Sequence, residues 1–280
     1  MKRILILVVL VVLAGIAGIV ARSASSRAEL KELVSHNQEQ GEVREEIREK
    51  YELAPGAQVE LAGVNGSVTI ETSDTRTAEV HIERMAANDE ALKRRQFTIE
   101  ATANSLRIKG EKRSNGFFSR FFGSEGKERV TLKLPRNVSL ATKGVNGSVE
   151  VGELDGSVEV AGINGRVEIS SAVGMASFKG INGNVFVGLK SLDQDGITLS
   201  GINGNIELQL PADVNADLEA KGMNGRVVSD LPNVVIDKSK HGHYSARIGN
   251  GGNSITAKGI NGNIRLTRTA GSAAAAESVN

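Results

Sequence analysis

Apolar and polar residues alternate around a motif that recurs through the second half of the chain. The motif is Gly-[Val/Ile/Met]-Asn-Gly, and it begins at Gly144, Gly162 and Gly180, at a spacing of 18 residues. One apolar residue precedes each Asn-Gly, a second follows two positions after the glycine, and a third lies two positions further on. Alternation with one buried face is typical of β-strands. Further units begin at Gly63, Gly201, Gly222 and Gly259.

Aligning the units on Asn-Gly gives three inward columns. The first contains Val145, Ile163, Ile181, Ile202, Met223 and Ile260; the second contains Val149, Val167, Val185, Ile206, Val227 and Ile264; the third contains Val151, Ile169, Val187, Leu208, Ser229 and Leu266. The position between the second and third columns is mixed and is therefore predicted to face outward. It is occupied by Glu150, Glu168, Phe186, Glu207, Val228 and Arg265.

The spacing of the columns favours a corner at Asn-Gly over a hairpin. A two-residue hairpin would turn Arg166 to the same side as Ile163, whereas the pattern buries Ile163 and Val167. The Asn-Gly glycine tolerates positive φ there, and asparagine tolerates it better than most residues. We therefore predict an all-β fold, a β-solenoid or roll-like stack with an 18–21-residue repeat. Its turn asparagines could form a ladder, and they are Asn65, Asn146, Asn164, Asn182, Asn203, Asn224 and Asn261.

Longer gaps between motifs predict where the repeat is interrupted. Two gaps of 21 residues indicate three-residue insertions, near 191–196 and near 211–215. The gap of 37 residues from Gly222 to Gly259 predicts two circuits, with one corner lost within 231–252.

The chain termini have a different character. Lys2 and Arg3 precede an apolar run over 4–20, which predicts a signal peptide or signal anchor over residues 1–26. Residues 27–52 are highly charged with short apolar stripes and predict a helical linker, residues 53–268 the β-repeat domain, and residues 269–280 a disordered tail. If the first segment directs export, the β domain lies in the cell envelope outside the cytoplasm, membrane-anchored, or periplasmic or secreted after cleavage.

Composition excludes several classes of function. The chain has no cysteine, which removes disulfides, thiolate metal sites and cysteine nucleophiles. Its net charge of +1 gives no case for binding nucleic acid. Aromatic residues make up only 3% of the chain, so any local concentration of them is informative.

A phenylalanine-rich stretch is the candidate interaction loop. Phe117, Phe118, Phe121 and Phe122 surround Arg120 between Gly- and Ser-containing flanks. Aromatic rings beside cations suit a membrane interface or a partner groove. The alternative is that the rings fold back and cover one end of the β core.

Other polar residues give no catalytic, cofactor or metal prediction. His241 and His243 could ligate a metal, but no third ligand is specified. Asp193 and Asp195 resemble part of a calcium loop, although its closing glutamate is absent. Polar residues otherwise recur as rows of one type, which are typical of solvated faces but could contact a polysaccharide or an anionic surface.

The Gly-Ile-Asn-Gly-Asn-Ile-Glu-Leu units, the Leu-Pro-x-x-Val lead-ins and the closing segment over 249–266 resemble the bacterial putative-adhesin family of β-strand repeats, a domain family of unknown function. The resemblance covers about residues 55–268 and implies an envelope-associated all-β domain without catalytic residues to carry over.

We therefore expect a non-enzymatic cell-envelope scaffold or adhesin-like surface for protein, glycan or membrane contacts, with a role in envelope-stress signalling as one option. The N-terminal segment would contact the membrane, and envelope proteins or polysaccharide would be the partners. One alternative is a carbohydrate-active enzyme on a parallel β-helix, which would need unlike polar groups to converge in one groove. The other is a self-assembling structural element, because uncapped solenoid ends associate.

Overall fold

Two large β-sheets make up nearly all of the computed structural model, which describes residues 43–112 and 126–269. Their strand orders are β1-β4-β7-β3-β9-β11-β13-β15-β21-β17 in the 10-stranded sheet and β18-β19-β16-β20-β14-β12-β10-β8-β2-β6-β5 in the 11-stranded sheet. The elements are β1 (Val43–Glu52), β2 (Gln58–Ala62), β3 (Gly66–Ser73), β4 (Thr77–Ala86), α1 (Asp89–Lys93), β5 (Arg95–Thr102), β6 (Ser105–Lys112), β7 (Lys127–Pro135), β8 (Ser139–Val145), β9 (Val149–Leu154), β10 (Val158–Ile163), β11 (Val167–Val173), β12 (Ala176–Asn182), β13 (Val185–Ser191), β14 (Ile197–Asn203), β15 (Ile206–Leu210), β16 (Ala216–Lys221), β17 (Val227–Ser229), β18 (Val234–Lys240), β19 (His243–Ile248), β20 (Asn253–Asn261) and β21 (Ile264–Arg268).

The middle of both sheets is parallel and in register with the sequence repeat. Val158 of β10 pairs with Leu140 of β8 on one side and with Ala176 of β12 on the other. In the 10-stranded sheet, Val167 likewise pairs with Val149 and Val185. Each Asn-Gly corner carries the chain from the 11-stranded sheet to the 10-stranded one, and we call the two strands joined at such a corner a level. Equivalent residues of successive levels therefore lie side by side.

The core lies between the inner faces of the two sheets. Every member of the three predicted inward columns is buried except Ser229, which is half-buried. Phe178 is the largest of the fully buried side chains. The column between them, from Glu150 to Arg265, is half-buried or exposed, as the alternation predicts.

Sequence order and spatial order diverge near the C-terminal end. Strand β20 lies between β14 and β16, and β21 lies between β15 and β17. The level formed by β20 and β21 thus lies between the level of β14 and β15 and that of β16 and β17, although it comes last in the sequence. The antiparallel pair β18 and β19 connects β17 to β20 along the chain. The prediction of a further circuit with a lost corner in 231–252 is wrong, because these residues supply a hairpin that pairs antiparallel with β16.

A similar rearrangement occurs at the other end. Strand β7 lies between β4 and β3 and pairs antiparallel with β4, while β5 pairs antiparallel with β6. The helical prediction is wrong for residues 43–52, since Val43–Glu52 forms the edge strand β1. Val43, Ile47 and Tyr51 are its half-buried positions and lie on one strand face, because a spacing of four is also a multiple of the strand period.

The two glycines of each motif have different roles. The first has positive φ, for example 64° at Gly180. The Asn-Gly glycine, such as Gly183, is instead closely covered by the neighbouring level: a Cβ there would lie 2.1 Å from the carbonyl oxygen of Gly165. Of the Asn-Gly glycines, Gly66 and Gly262 have positive φ, at 157° and 158°; the positive φ predicted at this position is absent from the others and from the described asparagines.

The remaining N-terminal predictions lie outside the described residues, as does the tail over 270–280. Within 43–112 and 126–269, no helix is both long and apolar enough to cross a membrane.

Candidate functional site

An asparagine ladder follows the Asn-Gly corners. Except at Asn65, each Asn Nδ2 donates to the Oδ1 of the asparagine on the adjacent level, at 2.9 Å from Asn146 to Asn65 and 3.0 Å from Asn182 to Asn164. The seven predicted turn asparagines all take part, in the spatial order Asn65, Asn146, Asn164, Asn182, Asn203, Asn261 and Asn224. Their side-chain amides are thus largely used within the protein.

A second row of asparagines lies just beyond the corner and was not identified from the sequence. Asn184 Oδ1 accepts from the Asn205 backbone N–H at 2.9 Å, and Asn205 Oδ1 accepts from that of Asn263 at 3.0 Å. Asn263 Oδ1 accepts in turn from the Arg226 backbone N–H at 3.1 Å. The signal was present in the sequence, because asparagine occupies the position after Asn-Gly in three units.

This second row borders a shallow depression of about 530 Å³ on the outer face of the 10-stranded sheet. Arg166 and Arg226 lie at its two ends, and the half-buried Phe186 lies in the adjacent outward column. Arg166 pairs with Glu168 at 2.7 Å, and Arg265 pairs with Asp230 at 2.6 Å. The depression therefore combines cationic, amide and aromatic groups.

A buried ion pair closes the first end of the asparagine ladder. Arg95 Nε donates to Glu128 Oε1 at 2.6 Å, and the Glu128 side chain is only 3% exposed. The other carboxylate oxygen accepts from the Asn65 backbone N–H at 2.7 Å, while Asn65 Nδ2 donates to the Gly126 carbonyl at 2.9 Å. Arg95 also donates to the Gly63 carbonyl at 2.5 Å. These contacts fix the corner of β2 and β3.

Glu46, His81 and Glu83 form the one group of potential metal ligands found among the described residues, with ligand atoms within 4.8 Å of one another. The hydrogen bond from Arg48, and then that from His81, lowers the pKa of the Glu46 carboxyl below its ordinary value. Arg129 pairs with Glu83 at 3.2 Å. Both carboxylates thus already have cationic partners, which a metal would have to displace.

The other candidate residues from the sequence are dispersed. His241 lies in the turn between β18 and β19, whereas His243 begins β19 and lies 3.8 Å from Glu219. Asp193 closes the insertion turn by accepting from the backbone N–H groups of Asp195 and Gly196. The candidate interaction loop lies outside the described residues and stays a prediction; its members are Phe117, Phe118, Arg120, Phe121 and Phe122.

Replacing Asn182 with alanine is expected to cost about 1–2 kcal/mol of unfolding free energy, because two ladder hydrogen bonds are lost at an exposed position. Urea denaturation measures the effect. Asn104→Ala is the control, since this exposed turn residue makes no side-chain hydrogen bond to a described residue. A loss at Asn182 no larger than that at Asn104 would show that the ladder adds no stability.

No family model matches the chain, and no curated protein matches it. Among solved structures, a putative cell adhesion protein from Clostridium sporogenes is 12% identical, covering 80% of this chain and all of its own, with a TM-score of 0.39. A putative adhesin from Bacteroides fragilis is 16% identical, covering 79% of this chain and 97% of its own, with a TM-score of 0.36. A putative lipid binding protein from Parabacteroides distasonis is 12% identical, covering 80% and 97%, with a TM-score of 0.24. The adhesin names of the first two structures agree with the resemblance noted in the repeats.

Proposed function

We propose that this chain is a non-enzymatic cell-envelope protein, in which a β-solenoid presents repeated outward columns for adhesin-like contacts. The register of the parallel strands carries the proposal, because it places equivalent side chains of successive levels next to one another. The resulting outer faces display rows of side chains at regular spacing, such as Glu150 beside Glu168. Such rows suit an extended partner that is contacted at many equivalent points.

The charges on these faces are arranged as a surface for contact. Lys143 pairs across the strands with Ala161, which pairs in turn with Lys179. A small residue thus separates these two cations, which would repel one another on adjacent strands, whereas Lys221 and Lys258 of the same row are direct cross-strand partners. Lys143 pairs with Glu159 at 3.3 Å, whereas the exposed Lys179 makes no ion pair with a described residue and can meet anionic groups of a partner.

The carbohydrate-active enzyme remains the alternative from another class. An enzyme needs a nucleophile or acid–base pair within reach of one reacting atom. Among the described residues, the carboxylates with lowered pKa already have hydrogen-bonding partners: Lys190 and then Arg136 lower the pKa of Glu153, and the Gly252 backbone N–H lowers that of Asp217. This arrangement favours a charged contact surface over an acid–base pair.

The test uses the full chain in nanodiscs of neutral lipid, applied to glycan and lipid arrays. We expect saturable binding without release of reducing sugars from the bound glycans. Release of sugars would favour the enzyme. The absence of saturable binding to any ligand on the arrays would reject an adhesin-like role. Protease accessibility of the β domain in intact and permeabilised bacteria checks the location, with cleavage only after permeabilisation contradicting an exposed surface.

A further inference from the structure

We propose that the depression between Arg166 and Arg226 binds an acidic polysaccharide in which uronate carboxylates are separated by neutral sugars. This inference rests on the proposed function and assigns a site and ligand class to it. The polymer would run across the strands, along the second asparagine row. Each level would then contact the next part of the polymer.

The levels of this row are fixed by backbone hydrogen bonds. The N–H of Val167 donates to the Asn184 carbonyl, and that of Val185 donates to the Asn205 carbonyl. Two further bonds of the same kind place Asn263 and then Arg226 on the following levels. Adjacent strands lie about 4.8 Å apart, so the four steps from Arg166 to Arg226 span about 19 Å. This is the scale of an oligosaccharide rather than of one small molecule.

The amides of the row have a fixed orientation. A backbone N–H can only donate, so the side-chain atom that it contacts in Asn184 and Asn205 is the carbonyl oxygen. The Nδ2 groups of these two residues therefore point away from the backbone contact, and they donate to no described residue. Asn263 Nδ2 instead donates to Asn205 Oδ1 at 3.3 Å, so the two donors of Asn184 and Asn205 remain to match the hydroxyl and carboxylate oxygens of a sugar chain.

The arginines determine the charge of the ligand. Arg226 is exposed and lines the depression, and its guanidinium makes no hydrogen bond or ion pair with the described part of the chain. Arg166 and Arg265 also line the depression, paired with Glu168 and Asp230 respectively, so Arg226 is the arginine whose charge is left for a ligand. Arginine binds carboxylates through two parallel hydrogen bonds. An anionic ligand is therefore favoured over a neutral glycan.

Phe186 and Glu207 decide which anionic polymer fits. They pair on adjacent strands, in the outward column beside the asparagines. The ring of Phe186 offers an apolar surface to the C–H face of a sugar, whereas polyphosphate has no such face. Glu207 repels a polymer that is negatively charged at every unit, such as single-stranded nucleic acid, but its carboxylate can accept a hydrogen bond from a hydroxyl of a neutral sugar. A polymer with spaced uronates has neutral sugars that can contact Phe186 and Glu207, and carboxylates that can reach the arginines.

The experiment titrates the full chain in neutral nanodiscs with a hyaluronan dodecasaccharide, in which glucuronate alternates with a neutral sugar. A malto-oligosaccharide of equal length, polyphosphate and oligo-dT are the comparison ligands. We expect hyaluronan to bind most tightly. Arg226→Gln and Arg166→Gln should each weaken it about tenfold, as expected for one charged hydrogen-bonding partner. Phe186→Ser should also weaken hyaluronan binding.

Arg107→Gln is the matched control, because this exposed arginine lies on β6 of the other sheet and should change the affinity less than twofold. Thermal melting verifies that each variant is folded. Equal binding of the malto-oligosaccharide, stronger binding of oligo-dT or polyphosphate, or no effect of the two arginine variants would overturn the site. If other array ligands still bind, the proposed function survives that result; if no ligand binds, both are rejected.

Discussion

Gly183→Ala is expected to destabilise the protein by roughly 3 kcal/mol or more, the largest effect of any single added methyl group that we predict. The new Cβ would lie 2.1 Å from the Gly165 carbonyl oxygen and 2.6 Å from its carbon. Both atoms belong to the backbone of the adjacent level, so relief requires the two levels to separate. Such a movement would disturb the ladder bond between Asn182 and Asn164. Urea denaturation followed by circular dichroism measures the loss.

Gly180→Ala is the matched control, three residues earlier in the same motif. Its φ is 64°, but the nearest atom to an added Cβ would be the backbone nitrogen of Gly162, at 3.8 Å. Alanine there incurs only the strain of the left-handed conformation, about 1–2 kcal/mol. Asparagine tolerates this conformation better, so Gly180→Asn should be milder still. Equal losses at Gly183 and Gly180 would refute close approach as the reason for the second glycine.

This contrast shows how far the repeat alone determines the structure. The inward columns could be predicted, because burial on one face of a strand leaves a period of two in the sequence. The corner could also be predicted, since Arg166 and Ile163 had to face opposite sides. The separate roles of Gly180 and Gly183 could not, because positive φ and close backbone contact select the same residue type.

The ends of the stack were harder to predict than its middle. In the charged segment before the repeats, Val43, Ile47 and Tyr51 are four residues apart, a spacing that fits one face of a helix and one face of a strand equally well. Pairing at the sheet edge decides for the strand. Near the other end, β20 pairs with both β14 and β16, so the spatial order β14-β20-β16 departs from the order along the chain. The spacing of motifs gives the distance between strands along the chain, but it does not specify which strands pair in space.

The candidate site illustrates the same division. The turn asparagines could be identified because each belongs to a repeated motif. Asn184, Asn205 and Asn263 stand at a position that other units fill with serine or arginine, so the row emerges only when β21 is placed beside β15. Arg226 joins it through the same exchange of levels, since β17 pairs with β21. The depression is therefore a product of the rearranged strand order.

Glu128→Ala is expected to lower the unfolding free energy by about 3–5 kcal/mol, because it leaves the Arg95 guanidinium without its buried partner. It also removes the acceptor of the Asn65 backbone N–H, at the first corner of the asparagine ladder. Glu128→Gln should cost less, since an amide oxygen can still accept one of these bonds. Thermal and urea denaturation measure both variants.

Glu83→Ala provides the comparison, because Glu83 pairs with Arg129 on the exposed surface and should cost no more than about 1 kcal/mol. The double variant Glu128→Leu and Arg95→Leu separates charge burial from local packing. If the unpaired cation causes the loss, removing both charges should recover part of the stability lost in Glu128→Ala. A double variant less stable than Glu128→Ala would instead assign the effect to the contacts of Arg95 itself, above all its bond to the Gly63 carbonyl at 2.5 Å.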